Sequence, residues 1–168
     1  MKSGFFVTTA IIIAFLCSQN ISAKPTENTN LEKQFIGMWR LVSWEKEYTD
    51  GSVKPEPRSK SYIIYTDTGH MCWVATDPNR KIWTGKPTQE QKAEAFDGLG
   101  FYCAVVELNV DKGYVIHHLE LARSQNAGGI NLKRWFSFDG KDRLLLRVEP
   151  SENEPPLVES RLVWERVK

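Results

Sequence analysis

A rhythm in the sequence constrains this chain more than anything else. From Trp39 to the C-terminus, short runs of β-branched, aromatic and aliphatic residues alternate with turn signals. "WRLVSWEKEY" ends at Asp50-Gly51. "SYIIYT" and "HMCWVA" flank Asp67-Thr68-Gly69, and "FYCAVVELNV" and "YVIHHLELA" flank Asp111-Lys112-Gly113. "INLKRWFSF" and "RLLLRVE" flank Asp139-Gly140, and "VESRLVWERV" closes the chain. The runs make eight strands without internal sequence repeat, and the three glycine-bearing connections read as hairpins. An all-β chain of this kind folds as an up-and-down antiparallel barrel or as a sandwich. With eight strands, a barrel interior is either filled by side chains or holds one small ligand.

One segment breaks the rhythm. Residues 88–97, "TQEQKAEAFD", are helix formers preceded by Pro87, and Thr88 and Gln91 have capping-box spacing. This predicts a short helix ending near Gly98. The helix lies inside a long insertion from Asp77 to Gly98, and connections of that length are usually functional.

The first 23 residues are read as a leader. A basic start at Lys2 precedes an apolar run from Phe5 to Leu16 and a small residue at Ala23, the layout of a secretory signal peptide. That run is about 12 residues, against the roughly 20 needed to cross a bilayer as a helix. Lipidation at Cys17 is disfavoured by the bulky Leu16 before it. The expectation is a periplasmic or secreted protein without a stable membrane span once the leader is removed. Residues 24–34 are polar and read as a flexible segment, and 35–168 form one domain large enough to bury a core. The net charge of +1 falls to about zero without Lys2, and no basic stripe of a nucleic-acid binder is present. Cys72 and Cys103 remain, either as a disulfide or as two buried thiols. Six Trp, five Tyr and eight Phe make the chain aromatic-rich, so large rings are available to fill or line a barrel.

The start of the first strand carries a more specific sign. "GMW" at 37–39 places Gly37 where the chain turns without a Cβ in the way, and Trp39 where a ring can plug a closed end. Together with "GMWRLVSWE", "YIIYTDTGHM", "TQEQKAEAFDG", "VIHHLE" and "RLVWERV", in this order and spacing, the chain resembles the small bacterial and fungal lipocalin-like domain family. The resemblance covers nearly all of the chain after the leader and departs at Ile116, where the family usually has Thr. It implies an eight-to-ten-stranded up-and-down barrel with a central cavity and one short helix in an insertion. It also implies that a basic residue near the end of the last strand, here Arg166, lies over Trp39 in a cation–π arrangement. In an up-and-down order the strands carrying Cys72 and Cys103 are neighbours, and the expectation becomes a disulfide.

Candidate site residues follow from alternation. In "YVIHHLELA", period two puts Val115, His117, Leu119 and Leu121 on the more apolar face, so His117 points inward. An inward His orients a ligand or moves a proton, or it is a core His bonded to a Tyr or carboxylate. Tyr62, Trp73, Tyr102 and Trp135 are candidate cavity-lining rings, and Trp83, with Phe96, is a candidate lid over the open end. His70, beside a hairpin glycine, is read as a turn-stabilising residue at a barrel rim. No metal site is expected, since adjacent strand histidines point to opposite faces and no third ligand has suggestive spacing. No catalytic or cofactor motif is present in a recognisable frame, so no cofactor is expected. The reading is an exported barrel binding a small, mainly hydrophobic molecule. The alternatives are a cofactor-free isomerase or cyclase using the same cavity, and an envelope interaction module with a filled barrel.

Overall fold

The computed structural model describes residues 26–56, 60–150 and 156–168, so the leader and its cleavage point lie outside the described residues. Helix α1 (Thr26–Phe35) leads into strand β1 (Gly37–Tyr48), followed by β2 (Val53–Pro55), β3 (Lys60–Tyr65) and β4 (His70–Thr76). Helix α2 (Gln89–Asp97) precedes β5 (Leu99–Asn109) and β6 (Tyr114–Ala122). A 3₁₀ turn (Gln125–Ala127) leads to β7 (Asn131–Asp139), β8 (Arg143–Val148) and β9 (Leu157–Arg166).

The sheet is antiparallel, with order β2-β1-β3-β4-β5-β6-β7-β8-β9, and β1 also pairs with β9. Eight strands therefore close into an up-and-down barrel, which removes the exposed edges an open sheet would carry. β2 is the extra strand. The first half of β1 pairs with β3 through Gly37–Arg40, and the second half pairs with β2 through Glu45–Glu47. Three residues containing a proline gave no recognisable strand pattern in the sequence.

The barrel has two unlike ends. The three short hairpins between β3 and β4, β5 and β6, and β7 and β8 lie at one end, which we call the base. The longer connections, including the Asp77–Gly98 insertion, lie at the other. At the base, side chains fill the interior: Trp39, Ile63, Tyr65, Met71, Val115 and Leu144 are all buried. α1 plugs this end. Its last residue, Phe35, makes edge-to-face contacts at 4.9–5.1 Å with Tyr65, Phe136 and Phe138.

Residues 24–34 read from the sequence as a polar, flexible segment, and in the structure Thr26–Phe35 form helix α1. α1 is too polar to announce itself, and a helix this short is marginal in water without tertiary support. Its C-terminal end is fixed from outside: Phe35 is held in the core, and Arg166 donates to the carbonyls of Gln34 at 2.6 Å and Ile36 at 2.8 Å.

Two bulges change which residues face inward. β1 carries an extra residue between Leu41 and Ser43 in its pairing with β9, so Trp44 faces inward although it lies an odd number of residues from Trp39 and Leu41. β6 carries one between Leu119 and Leu121 opposite Cys103 and Ala104. Leu121 consequently turns outward and is 65% exposed, against the alternation-based assignment to the inner face.

Candidate ligand-binding site

A cavity of ≈ 330 Å³ occupies the barrel above the filled base. Its apolar wall comes from Ile63, Leu146 and Leu162 and from the indoles of Trp44, Trp73 and Trp164. Trp73 and Tyr102 face each other across the β4–β5 pair with ring centroids 5.4 Å apart. Gly100 makes room for this arrangement: a Cβ there would lie 2.7 Å from the Trp73 ring. Polar groups in the wall are few. They are the Tyr102 hydroxyl, Ser160, Lys46, Arg134 and Glu149.

Behind Tyr102 lies a buried polar knot. The phenol of Tyr102 is 3.0 Å from His117 Nδ1, and that of Tyr65 is 3.0 Å from His117 Nε2. A neutral imidazole has one N–H donor and one acceptor nitrogen, so it donates to one phenol and accepts from the other. Burial holds the ring in that neutral form and, helped by the positive charge of Arg134 and by His118, pushes its pKa down to about 3. Burial raises both phenols, Tyr65 strongly, while Arg134 draws Tyr102 back.

His117 points inward but does not form part of the cavity wall. Both ring nitrogens are engaged, and it acts on the cavity through Tyr102. Trp73 and Tyr102 line the cavity, and three other candidates do not. Tyr62 lies on the outer face, because β3 alternates from buried Ser61 to buried Ile63 and Tyr65. Trp135 also faces out, where its indole N–H donates to Glu149 at 2.7 Å and Lys133 lies 4.0 Å over its ring. In β7 the inward positions are those of Leu132, Arg134 and Phe136, one residue out of step with Trp135. Trp83 packs within the insertion beside Arg80, Gln91 and Glu94 and is not part of the cavity wall.

Sequence reasoning missed Trp44, Arg134 and Trp164. Trp44 was hidden by the bulge. Arg134 and Trp164 were legible in principle: period two counted back from Phe136 and Arg166 places both inward.

The other singled-out residues serve the frame. Arg166 lies 4.1 Å over the Trp39 ring, and a Cβ on Gly37, whose φ is +130°, would meet its guanidinium at 2.7 Å. Cys72 and Cys103 are direct cross-strand partners on the outer face of β4 and β5 and form a disulfide, with Cα atoms 4.1 Å apart. His70 belongs to the base hairpin, where its Nδ1 lies 3.0 Å from the carbonyl oxygen of Thr68. The insertion helix α2 has the capping box that its sequence predicts. Gln91 N donates to Thr88 Oγ1 at 3.3 Å, and Thr88 N donates to Gln91 Oε1 at 2.9 Å. Arg123 ties the helix end to the barrel by donating to the carbonyls of Phe96 and Asp97.

Comparison with curated proteins finds no match. Among solved structures, one described as a redesigned beta barrel is similar over 81% of this chain and 94% of its own, at 9% identity and a TM-score of 0.38. Residues 36–167 match the family described as lipocalin-like domain, a span that takes in every strand among the described residues, from β1 to β9. The chain belongs to the lipocalin-like domain family.

Proposed function

We propose that this protein binds a small, mainly apolar molecule in the barrel cavity, and that it does so in the periplasm or outside the cell. The cavity carries the reading. Its volume of ≈ 330 Å³ lies at the small end of the roughly 300–1,000 Å³ spanned by ligand pockets. Its wall is three indoles and aliphatic side chains with a handful of polar groups, the composition such pockets use to combine affinity with orientation. Binding would draw on burial of apolar ligand surface, worth about 25 cal/mol per Å² before ordering costs are subtracted.

Export is supported by the leader-like residues 1–23 and by the Cys72–Cys103 disulfide, which fits an oxidising compartment. Among the described residues no helix is long and apolar enough to cross a membrane. We place the mature start near residue 24 and the ligand-binding domain at 35–168.

Binding is preferred to its alternatives for stated reasons. An isomerase or cyclase needs a proton moved in the cavity, and His117 has both nitrogens engaged by phenols and is held neutral. An interaction module with a filled barrel does not need the space above the base.

The test is to purify the exported protein natively and compare native with denaturing mass spectra, then titrate with the neutral fluorophore N-phenylnaphthylamine. A released small molecule, or saturable quenching of the cavity indoles, is expected. An apo spectrum together with no fluorophore binding would sink the reading.

A further inference from the structure

The cavity contains a cation without an ionic partner. Three charged side chains line it: Lys46, Arg134 and Glu149. Lys46 is paired with Glu56 at 2.8 Å, and Glu149 accepts the Trp135 indole N–H at 2.7 Å. Arg134 is half-buried on the inner face of β7 and donates to the carbonyl of Lys133 at 3.1 Å. Among the described residues no carboxylate lies within ion-pairing distance of it. A guanidinium has five N–H donors and is costly to enclose in an apolar wall unless acceptors reach it.

Two further donors belong to residues of the wall but are sealed from the cavity. The indole N–H groups of Trp44 and Trp164 are buried with no hydrogen-bond partner among the described residues. Tyr102 brings a hydroxyl that the His117 ring can leave free to donate. If Nδ1 carries the imidazole proton, Tyr65 donates to Nε2, Nδ1–H donates to the Tyr102 oxygen, and the Tyr102 O–H is left for an occupant. Arg134 and Glu149 are thus the charged groups of the wall without an ion-pair partner, and the Arg134 guanidinium, which lies within hydrogen-bonding reach of Tyr102, is the one that calls for an acceptor.

We propose that the occupant is an apolar carboxylic acid bound as its anion, with the carboxylate against Arg134 and the Tyr102 hydroxyl and the apolar part against the indoles. The proposal rests on the cavity being a binding site. A carboxylate fits the planar guanidinium fork with two parallel N–H···O bonds, and charge-assisted bonds of this kind are about twice as strong as neutral ones. A monoanion matches the single guanidinium; a phosphate dianion would bring excess negative charge beside Glu149, whose carboxylate has no ion-pair partner among the described residues. Tyr65 and His117 are positioning residues here, since they act through the Tyr102 hydroxyl.

Decanoate, decanol and methyl decanoate can be compared as competitors for cavity-bound N-phenylnaphthylamine at neutral pH. Decanoate is expected to displace the fluorophore at a concentration about tenfold or more below that of either neutral analogue, the ratio a single hydrogen bond to a charged group supplies. Arg134→Met should remove that preference, read as the ratio of decanoate to decanol displacement so that any change in fluorophore affinity cancels, and Arg134→Lys should keep part of it because the charge remains without the fork. Equal displacement by all three competitors, or a preference that survives in Arg134→Met, would overturn the carboxylate assignment and leave the binding site standing. Failure of the fluorophore to bind the unmutated protein would overturn both. If Arg134→Met does not fold, the competitor ratio in the unmutated protein and in Arg134→Lys decides.

Discussion

The guanidinium of Arg166 lies 4.1 Å over the ring of Trp39 and at the same time donates to two carbonyls at the end of the N-terminal helix, those of Gln34 in its last turn and of Ile36 just beyond it. One side chain thus joins the last strand, the first strand and the helix that plugs the base. Trp39 completes the joint by donating its indole N–H to the carbonyl of Phe35 at 2.8 Å.

Arg166→Met should therefore loosen the plug. Loss of the stacking and of hydrogen bonds from a charged donor is expected to cost about 2–4 kcal/mol. Arg166→Lys should recover less than half, because an ammonium cannot reach both carbonyls and stack at once. Denaturant unfolding followed by tryptophan fluorescence gives both values, and equal stability of Lys and Met variants would show that the fork is irrelevant.

The buried His117 makes a pH prediction with a definite sign. Its folded pKa of about 3 is below the ordinary value of 6.5, so the unfolded chain takes up a proton that the folded chain refuses. Stability is complete above about 6.5 and falls as pH drops toward 3, by up to about 1.4 kcal/mol per unit. His118 has the opposite sign: Asn131 and Glu107 raise its pKa, so its contribution is lost as pH rises. It is solvated, and its effect should be small. Between about pH 6 and 4, unfolding free energy should fall more steeply with acid in the unmutated protein than in His117→Gln. Parallel curves would contradict a neutral buried histidine.

Gly100→Ala tests how the cavity is shaped. The new methyl would meet the Trp73 ring at 2.7 Å and force it to move, at a cost of about 1–3 kcal/mol. Since Trp73 lines the cavity beside Tyr102, N-phenylnaphthylamine binding should weaken about fivefold or more as the wall shifts, taking an energetic cost of this order. A destabilised variant with unchanged affinity would place the ring's movement away from the ligand.

Reduction of the Cys72–Cys103 disulfide should lower stability without opening the barrel. The bond closes a loop of 31 residues that holds the whole Asp77–Gly98 insertion, and chain-entropy reasoning gives about 3–4 kcal/mol for a loop of this length. The two cysteines are already cross-strand partners, so the circular dichroism of the β-sheet should persist at moderate temperature while the melting point drops. Alkylation of two thiols without reductant would disprove the bond.

Strand order was legible where it depends on local signals, and the pairing of the cysteines only through that order. Hairpin length with glycine in the turn makes β3 and β4, and β5 and β6, neighbours. β4 and β5, which carry Cys72 and Cys103, are joined by the long insertion, so their adjacency followed from the up-and-down order and their register from the closed sheet. The G-x-W at Gly37–Trp39 and the helix cap at Thr88 were local as well. The cavity wall was less legible. Tyr62 and Trp135 were assigned to it for being aromatic, yet each falls on the outward parity of its strand. Trp44 belongs to it only because the bulge between Leu41 and Ser43 reverses the parity of β1.

The sequence by itself determined eight antiparallel strands joined mostly by short turns, because period-two patterning and turn chemistry act over a few residues at a time. That the strands close into a barrel rather than a sandwich was what the family resemblance implied and the pairing of β1 with β9 shows. The tertiary structure decided which side chains share the interior. That depends on single-residue bulges, on the helix that Arg166 and Phe35 hold across the base, and on whether a charge such as Arg134 finds a partner after the strands close. Those contacts join residues as far apart as Ile36 and Arg166, and no local pattern of residues encodes a distance across a barrel.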